Sequence, residues 1–411
     1  GDRIKSSLNS FIVRRGSGKT IIAGYPWFLD WGRDTLICTR GLLAAGMTDI
    51  VRDILITFAR IEDRGTLPNA LYGDNTANRD TSDAPLWFAL ACEELALIET
   101  KVKNISDAPL YQTRIDGNRR LIDVLVSIAD NYIKGTPNKV KMDQESALVF
   151  SPSHFTWMDT NYPACTPREG YPVEIQALWI RFLKHLHKIE AKSVSEKWDT
   201  LIQRSMSSFN ELFWLEDKGW FCDVLECPQG ISAFEAIKNR LLRSNCLLPI
   251  CLDVVGGLNA RKCVDAAKNY LLVPGALRSL APLKADSPLV IKAPDGRLLN
   301  NPSYPYWGRY EGDEDTRRKP AYHNGTAWVY TFPHFCEALV KAYKNQDAIK
   351  AAKSYLCSAK SLMEEGCLNH LPEILDGDEP HTQRGCDAQA WSSSEYFRVL
   401  KYLDNVSGID G

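Results

Sequence analysis

The chain of 411 residues is 45% hydrophobic and 24% charged, which supplies a large core and sets disorder aside. Its 49 Lys and Arg against 51 Asp and Glu give a formal net charge of −2, so there is no basic field to draw in nucleic acid or an anionic membrane, and a neutral substrate fits better. Twelve cysteines without a CxxC pair read as reduced thiols of a cytoplasmic protein, and no run of about 18 apolar residues or N-terminal apolar stretch marks a membrane span or signal peptide.

Along the chain, Gly16-Ser17-Gly18-Lys19-Thr20 imitates the end of a phosphate-binding loop, but the motif's first glycine position holds Val13 and no suitable apolar strand precedes it. Apolar residues at three- and four-residue spacing predict helices at Leu36 to Leu43, Ile50 to Ile61, Leu86 to Leu97 and Leu121 to Ile133. The pattern returns at Val173 to Ile189, Val194 to Leu215, Phe234 to Leu248, Ala260 to Leu271, Ala327 to Tyr343, Ala348 to Met363 and Gln389 to Leu403, while strand-like alternation is scarce. About eleven helices alternating with long loops predict an all-α fold, a double ring of paired helices or (α/α)6 toroid with functional loops crowding one mouth. Residues 1–411 are expected to form one such domain. Because the chain starts on Gly and reaches an aromatic motif by Tyr25, an upstream domain outside it is also expected.

The chemistry-bearing residues fall in those loops. Tyr25-Pro26-Trp27-Phe28-Leu29-Asp30-Trp31-Gly32-Arg33-Asp34 sets aromatic rings around an Arg-Asp pair at a helix start. Rings such as Trp31 pack on the C–H face of a pyranose, and Arg33 and Asp34 supply donors and acceptors for vicinal hydroxyls; the structural alternative is a buried Arg-Asp ion pair beneath core tryptophans. In His154-Phe155-Thr156-Trp157-Met158-Asp159-Thr160-Asn161-Tyr162, burial beside Trp157 would keep the Asp159 carboxyl protonated as a general acid, unless Asp159 is a turn or cap residue. In Leu371-Pro372-Glu373-Ile374-Leu375-Asp376, Glu373 is the candidate base, against the alternative of a solvated loop glutamate. Binding groups are expected from Arg309 within Tyr306-Trp307-Gly308-Arg309-Tyr310, from His323 and Trp328 within 322–328, and from Trp391 at the last helix start. Ser82 or Asp83 reads as an N-cap at least as readily as a ligand contact. His381, Cys386 and Asp387 lack the paired spacing of a zinc site, so no metal is assigned. Residues 226–258 carry no usable signature.

These stretches, from Gly24-Tyr25-Pro26-Trp27 to Arg384-Gly385-Cys386-Asp387-Ala388-Gln389-Ala390-Trp391-Ser392, resemble the amylo-α-1,6-glucosidase domain of glycogen debranching enzymes over nearly the whole chain. The resemblance implies an (α/α)6 barrel, an inverting mechanism and no metal or organic cofactor. It assigns the acid to Asp159 in Thr156-Trp157-Met158-Asp159 and the base to Glu373 in Leu371-Pro372-Glu373. More distantly, Trp31-Gly32-Arg33-Asp34 and Gly308-Arg309-Tyr310 are similar to the glucose-gripping elements of glucoamylases. The implied partner is a branched α-glucan: glycogen, limit dextrin or a branched maltooligosaccharide. Nothing in the chain reads as the separate glucanotransferase barrel of eukaryotic debranchers. An inverting site would hold its carboxyls roughly 6.5–9.5 Å apart. A phosphorylase on the same toroid and a glycan-binding protein without turnover are the alternative readings.

Overall fold

Helices that are apolar on nearly every face lie inside a fold, and those with one apolar stripe lie outside it. The computed structural model, which describes residues 2–16, 18–73, 75–101, 104–160, 166–190 and 192–407, follows that division. Its principal helices are α1 (Asp2–Phe11), α2 (Gly32–Ala44), α3 (Thr48–Ile61), α4 (Ala84–Thr100), α5 (Leu121–Lys134), α6 (Val173–Ile189), α7 (Lys192–Phe213), α8 (Leu248–Cys251), α9 (Gly257–Tyr270), α10 (Phe332–Tyr343), α11 (Gln346–Cys357) and α12 (Ala390–Ser407). Helix α4 is buried almost continuously from Ala84 to Ala96, and α6 likewise from Val173 to Leu186. By contrast α3 buries the stripe Val51, Ile54, Leu55, Phe58 and Ala59, and α5 the stripe Leu121, Val124, Leu125, Ile128, Ala129 and Tyr132.

The even-numbered helices pack in sequence: α2 on α4, α4 on α6, α6 on α8, α8 on α10, α10 on α12, and α12 back on α2. The odd-numbered helices pack against them, α1 on α12, α3 on α2 and α4, α5 and α7 on α6, α9 on α10, and α11 on α10 and α12. Helices thus dominate, as the periodicity predicts.

Three expectations change. The predicted helix over Phe234 to Leu248 is instead a 3-10 turn (Ala233–Glu235), a strand (Ile237–Asn239) and a second 3-10 turn (Ser244–Leu247), with α8 starting only at Leu248 beside Pro249, where a missing N–H costs a helix nothing. Ala327 and Trp328 are a strand rather than the first turn of α10, and Ala388–Gln389 is a strand ahead of α12. Strands are not scarce: short ones recur throughout, and one five-stranded antiparallel sheet runs β1 (Leu272–Val273), β2 (Ala276–Arg278), β3 (Ala327–Trp328), β4 (Ile374–Leu375) and β5 (Gln383–Arg384). Strands of two or three residues are too short to show alternation, which is why the sequence hides them.

The phosphate-loop imitation is a hairpin, Ile12–Arg15 paired with Gly18–Ile21 and Lys19 opposite Arg14; Ser17 lies outside the described residues, as do Asn161 and Tyr162. Eleven cysteines are free thiols among the described residues, most of them buried. No helix among the described residues is long and apolar enough to cross a membrane.

Candidate active site

The first wall of the site is built where an extended segment becomes α2. Asp30–Trp31 pairs with Ala70–Leu71, the Gly32 N–H donates to the Asn69 carbonyl at 2.9 Å, and the helix starts at Gly32. Asp34 therefore falls in the first turn, where a negative charge suits the helix dipole and the positive Arg33 does not. Two carboxylates outside the helix hold Arg33: Nε donates to Asp83 Oδ2 at 2.7 Å and Nη1 to Asp159 Oδ2 at 2.8 Å. Asp83 occupies the N-cap position of α4 without capping it; besides Arg33 it accepts the Thr81 hydroxyl at 2.6 Å. The capping reading of Asp83 gives way to an ion pair that orients Arg33.

The second wall carries Trp157 and Asp159. The Trp157 indole N–H donates to Asn245 Oδ1 at 2.7 Å, and the Asn245 amide donates to Asp223 Oδ1 at 2.8 Å. Asp223 and Glu174 both grip the buried Arg168, with Asp223 Oδ2 at 2.8 Å from its Nε. Arg243 donates to the His323 carbonyl and, at 2.9 Å, to Asn324 Oδ1. The segment that carried no signature thus supplies Arg243 and Asn245, which hold the aromatic floor in place. No motif announced them, because each acts through a partner distant in sequence.

Glu373 enters from the five-stranded sheet. Trp328 in β3 lies opposite Ile374 in β4, the Glu373 N–H donates to the Cys386 carbonyl at 2.9 Å, and the Val329 N–H donates to the Glu373 carbonyl at 3.2 Å. Its carboxylate accepts from two donors, the Tyr322 hydroxyl on Oε1 and the Cys386 N–H on Oε2 at 2.8 Å. Gly385, at φ +68°, passes so close that a Cβ there would stand 2.3 Å from Oε2.

These walls line an open-mouthed cavity whose sides are Phe28, Trp31, Arg33, Asp34, Trp157, Asp159, Tyr322, Trp328, Glu373, Gln389 and Trp391. Trp328 is the hub of its rings, 5.0 Å from Trp157, 4.8 Å from Tyr322 and 6.0 Å from Trp391, all tilted or edge-on. Burial pushes the Asp34 carboxyl up to about 8, against the pull of Arg33 and with the charges of Asp159, Glu373 and Asp83 adding to the rise. Burial likewise lifts Glu373 to about 7, although both of its hydrogen bonds favour the ionised form. Asp159 is raised by burial and pulled down by Arg33, and its side chain keeps 29% of its exposure.

Eight of the ten site residues expected from the sequence line this cavity: Trp31, Arg33, Asp34, Trp157, Asp159, Trp328, Glu373 and Trp391. Two do not. Arg309 donates to the Glu379 carbonyl at 2.6 Å, away from the lining, and His323 is fully buried behind it. The His323 ring stacks on Trp328 with centroids 5.3 Å apart and planes 8° from parallel, and its Nε2 meets the Thr160 hydroxyl at 3.1 Å, so it braces a wall without facing the cavity. Phe28, Tyr322 and Gln389 line the cavity and were not singled out, although each lies within a motif already quoted. No group of His, Cys, Asp and Glu able to hold a metal ion occurs among the described residues; Cys386 Sγ instead donates to the Tyr25 carbonyl at 2.8 Å, and His381 Nδ1 sits 3.0 Å from the Asp376 carbonyl.

The family model for amylo-alpha-1,6-glucosidase matches residues 6–288 and 290–398. A glycogen debranching enzyme of Saccharomyces cerevisiae is 22% identical over 476 residues, covering 91% of this chain, which spans 30% of that enzyme's length. Among solved structures, a GH63 mannosylglycerate hydrolase from Thermus thermophilus in complex with glucose superimposes with a TM-score of 0.64 at 13% identity, covering 97% of this chain and 99% of that one. A wild-type glycosidase does so with a TM-score of 0.61 at 12% identity, covering 98% and 96%. At such identities the structural likeness speaks for the fold.

Proposed function

The chain belongs to the amylo-alpha-1,6-glucosidase family of glycoside hydrolases, and from that premise we propose that it removes single α-1,6-linked glucosyl stubs from a branched α-glucan with inversion at the anomeric carbon. The observation that carries the proposal is the meeting, in one tryptophan-lined cavity, of Asp159 on Arg33 and Glu373 on two neutral donors. The cavity suits one pyranose, with aromatic walls for its C–H faces and Arg33, Asp34 and Gln389 for its hydroxyls. Asp159 is the general acid that protonates the glycosidic oxygen, and Glu373 is the general base that takes a proton from water attacking C1. A base held near about 7 is strong and still about half ionised at neutral pH, which suits Glu373 to that task.

The circuit of even-numbered helices inside odd-numbered ones supports one (α/α)6 barrel with this cavity at its mouth. We place the activity in the cytoplasm, a reading supported by the free thiols. Glycogen, limit dextrin and branched maltooligosaccharides are all candidate substrates, with no organic or metal cofactor assigned.

The test is glucose release from a glucosyl-branched α-1,6 oligosaccharide, with the anomer followed by proton NMR and with Asp159→Asn and Glu373→Gln alongside. Early β-glucose, lost in both variants, is the expected result. Early α-glucose would overturn inversion, and release that requires phosphate would make the enzyme a phosphorylase.

A further inference from the structure

Beside the cavity stands a surface that the single-glucose pocket does not use. Between Gly24 and Asp30 the chain makes a tight turn, closed by the Phe28 N–H on the Gly24 carbonyl at 3.0 Å and the Ala23 N–H on the Leu29 carbonyl at 2.9 Å. The turn presents Trp27 with 57% and Leu29 with 51% of their surface exposed. Between them in sequence, Phe28 lines the cavity, and the Trp27 ring lies edge-on to it with centroids 6.4 Å apart. The exposed indole is therefore continuous with the catalytic pocket.

The turn is also fastened. Tyr25 stacks on Phe11 at 5.6 Å and donates its hydroxyl to the Ser10 carbonyl at 2.9 Å. Tyr25 pairs with Ala388, and Cys386 Sγ donates to the Tyr25 carbonyl at 2.8 Å while the Trp27 backbone N–H faces the same sulfur. Cys386 is the residue whose N–H holds Glu373. A large apolar ring on a loop is ordinarily buried or mobile; this one is exposed on a turn bolted to the base.

We propose that Trp27, flanked by Leu29, is the leaving-group subsite, on which a main-chain glucosyl unit of the branched glucan stacks while the branch glucose occupies the cavity. The inference rests on the function proposed above and extends it from the scissile glucose to the chain that carries it. An indole face matches the C–H face of a pyranose, and a rigid mount means that no loop has to be ordered when the polymer binds.

The experiment compares wild type, Trp27→Ala and Trp27→Phe on two substrates: the glucosyl-branched oligosaccharide, and α-glucosyl fluoride, which has no sugar on the leaving-group side. Trp27→Ala is expected to raise KM for the oligosaccharide about tenfold with little change in kcat, to change KM for the fluoride far less, and to be largely rescued by Trp27→Phe. Equal effects on the two substrates, or none on the oligosaccharide, overturn the subsite. If wild type hydrolyses neither substrate, the functional reading fails by itself, and calorimetric binding of maltoheptaose decides the subsite: a loss of at least about fivefold in Trp27→Ala keeps it, and unchanged binding overturns it.

Discussion

Replacing Tyr322 by Phe removes one hydroxyl and leaves the ring on which Trp328 packs. That hydroxyl donates to Glu373 Oε1, and with the Cys386 N–H it opposes the burial that lifts the Glu373 carboxyl to about 7. A hydrogen bond to a charged group contributes about 1.5–3 kcal/mol. Losing it from the ionised form alone raises the pH at which Glu373 gives up its proton by about one to two pH units. If Glu373 is the base, as proposed, it works only when ionised, so the acid limb of kcat/KM against pH, expected near about 7 in the wild type, moves to higher pH. At pH 6.5 the variant should retain about a tenth of wild-type kcat/KM or less, and the gap should narrow as pH rises until the loss of the Asp159 proton limits both enzymes. The assay is initial-rate glucose release between pH 5 and 9. A limb that stays in place or moves to lower pH would refute the reasoning, as would a loss equal at every pH, because each would mean that Tyr322 does not act through the charge on Glu373.

Gly385→Ala places a Cβ 2.3 Å from Glu373 Oε2 at a φ of +68°, so glucose release should fall at least about tenfold while circular dichroism shows the helices intact. The Glu373 carboxyl is raised in the folded state, so its ionisation opposes folding increasingly as pH climbs from about 4.5 to about 7. Glu373→Gln should accordingly be more stable than wild type at pH 8 by on the order of a few kcal/mol, seen as a higher melting temperature, and match it near pH 4.5; a lower melting temperature at pH 8 would contradict this. Glu337 behaves oppositely: burial works to raise it, but Arg398, Lys341 and Arg40 hold it down at about 2. Its contribution is full above about 4.5 and disappears as pH falls toward about 2, so Glu337→Gln should be markedly less stable than wild type at pH 7 and much less so at pH 3 in thermal melts.

The sequence made the inner helices visible because residues such as Leu86 to Leu97 are apolar on every side, and the outer ones because α3 and α5 carry a single stripe. The sheet that carries Glu373 was hidden, since strands such as Ile374–Leu375 are too short for any period and take their register from neighbours distant in sequence. At the site, side chains adjoining a carboxylate in one short motif were legible. Arg309, expected as a binding residue from its place among aromatics, lies outside the cavity lining, and Gly308 before it, where a Cβ would stand 2.5 Å from Asp378 Oδ1, packs the segment against the 376–379 loop. Asn245 and Arg243 could not be found from pattern at all, because their value lies in holding Trp157 and His323 from across the fold.

The imbalance of charge around the cavity ties these features together. Asp34, Asp159 and Glu373 line it and Asp83 stands behind, whereas Arg33 is the cation in the lining. Burial acts first on these groups: it lifts Asp34 to about 8, with the charges of Asp159, Glu373 and Asp83 adding to the rise, and it lifts Glu373 to about 7. In the proposed mechanism the general acid is Asp159, whose proton is favoured by burial and opposed by Arg33, and a developing oxocarbenium ion is stabilised by the carboxylates that stay ionised. On the proposed assignment Arg33, shared between Asp83 and Asp159, fixes the acid's carboxyl in place, while Glu373 is held by a hydroxyl and an amide rather than by a cation, which would weaken it as a base.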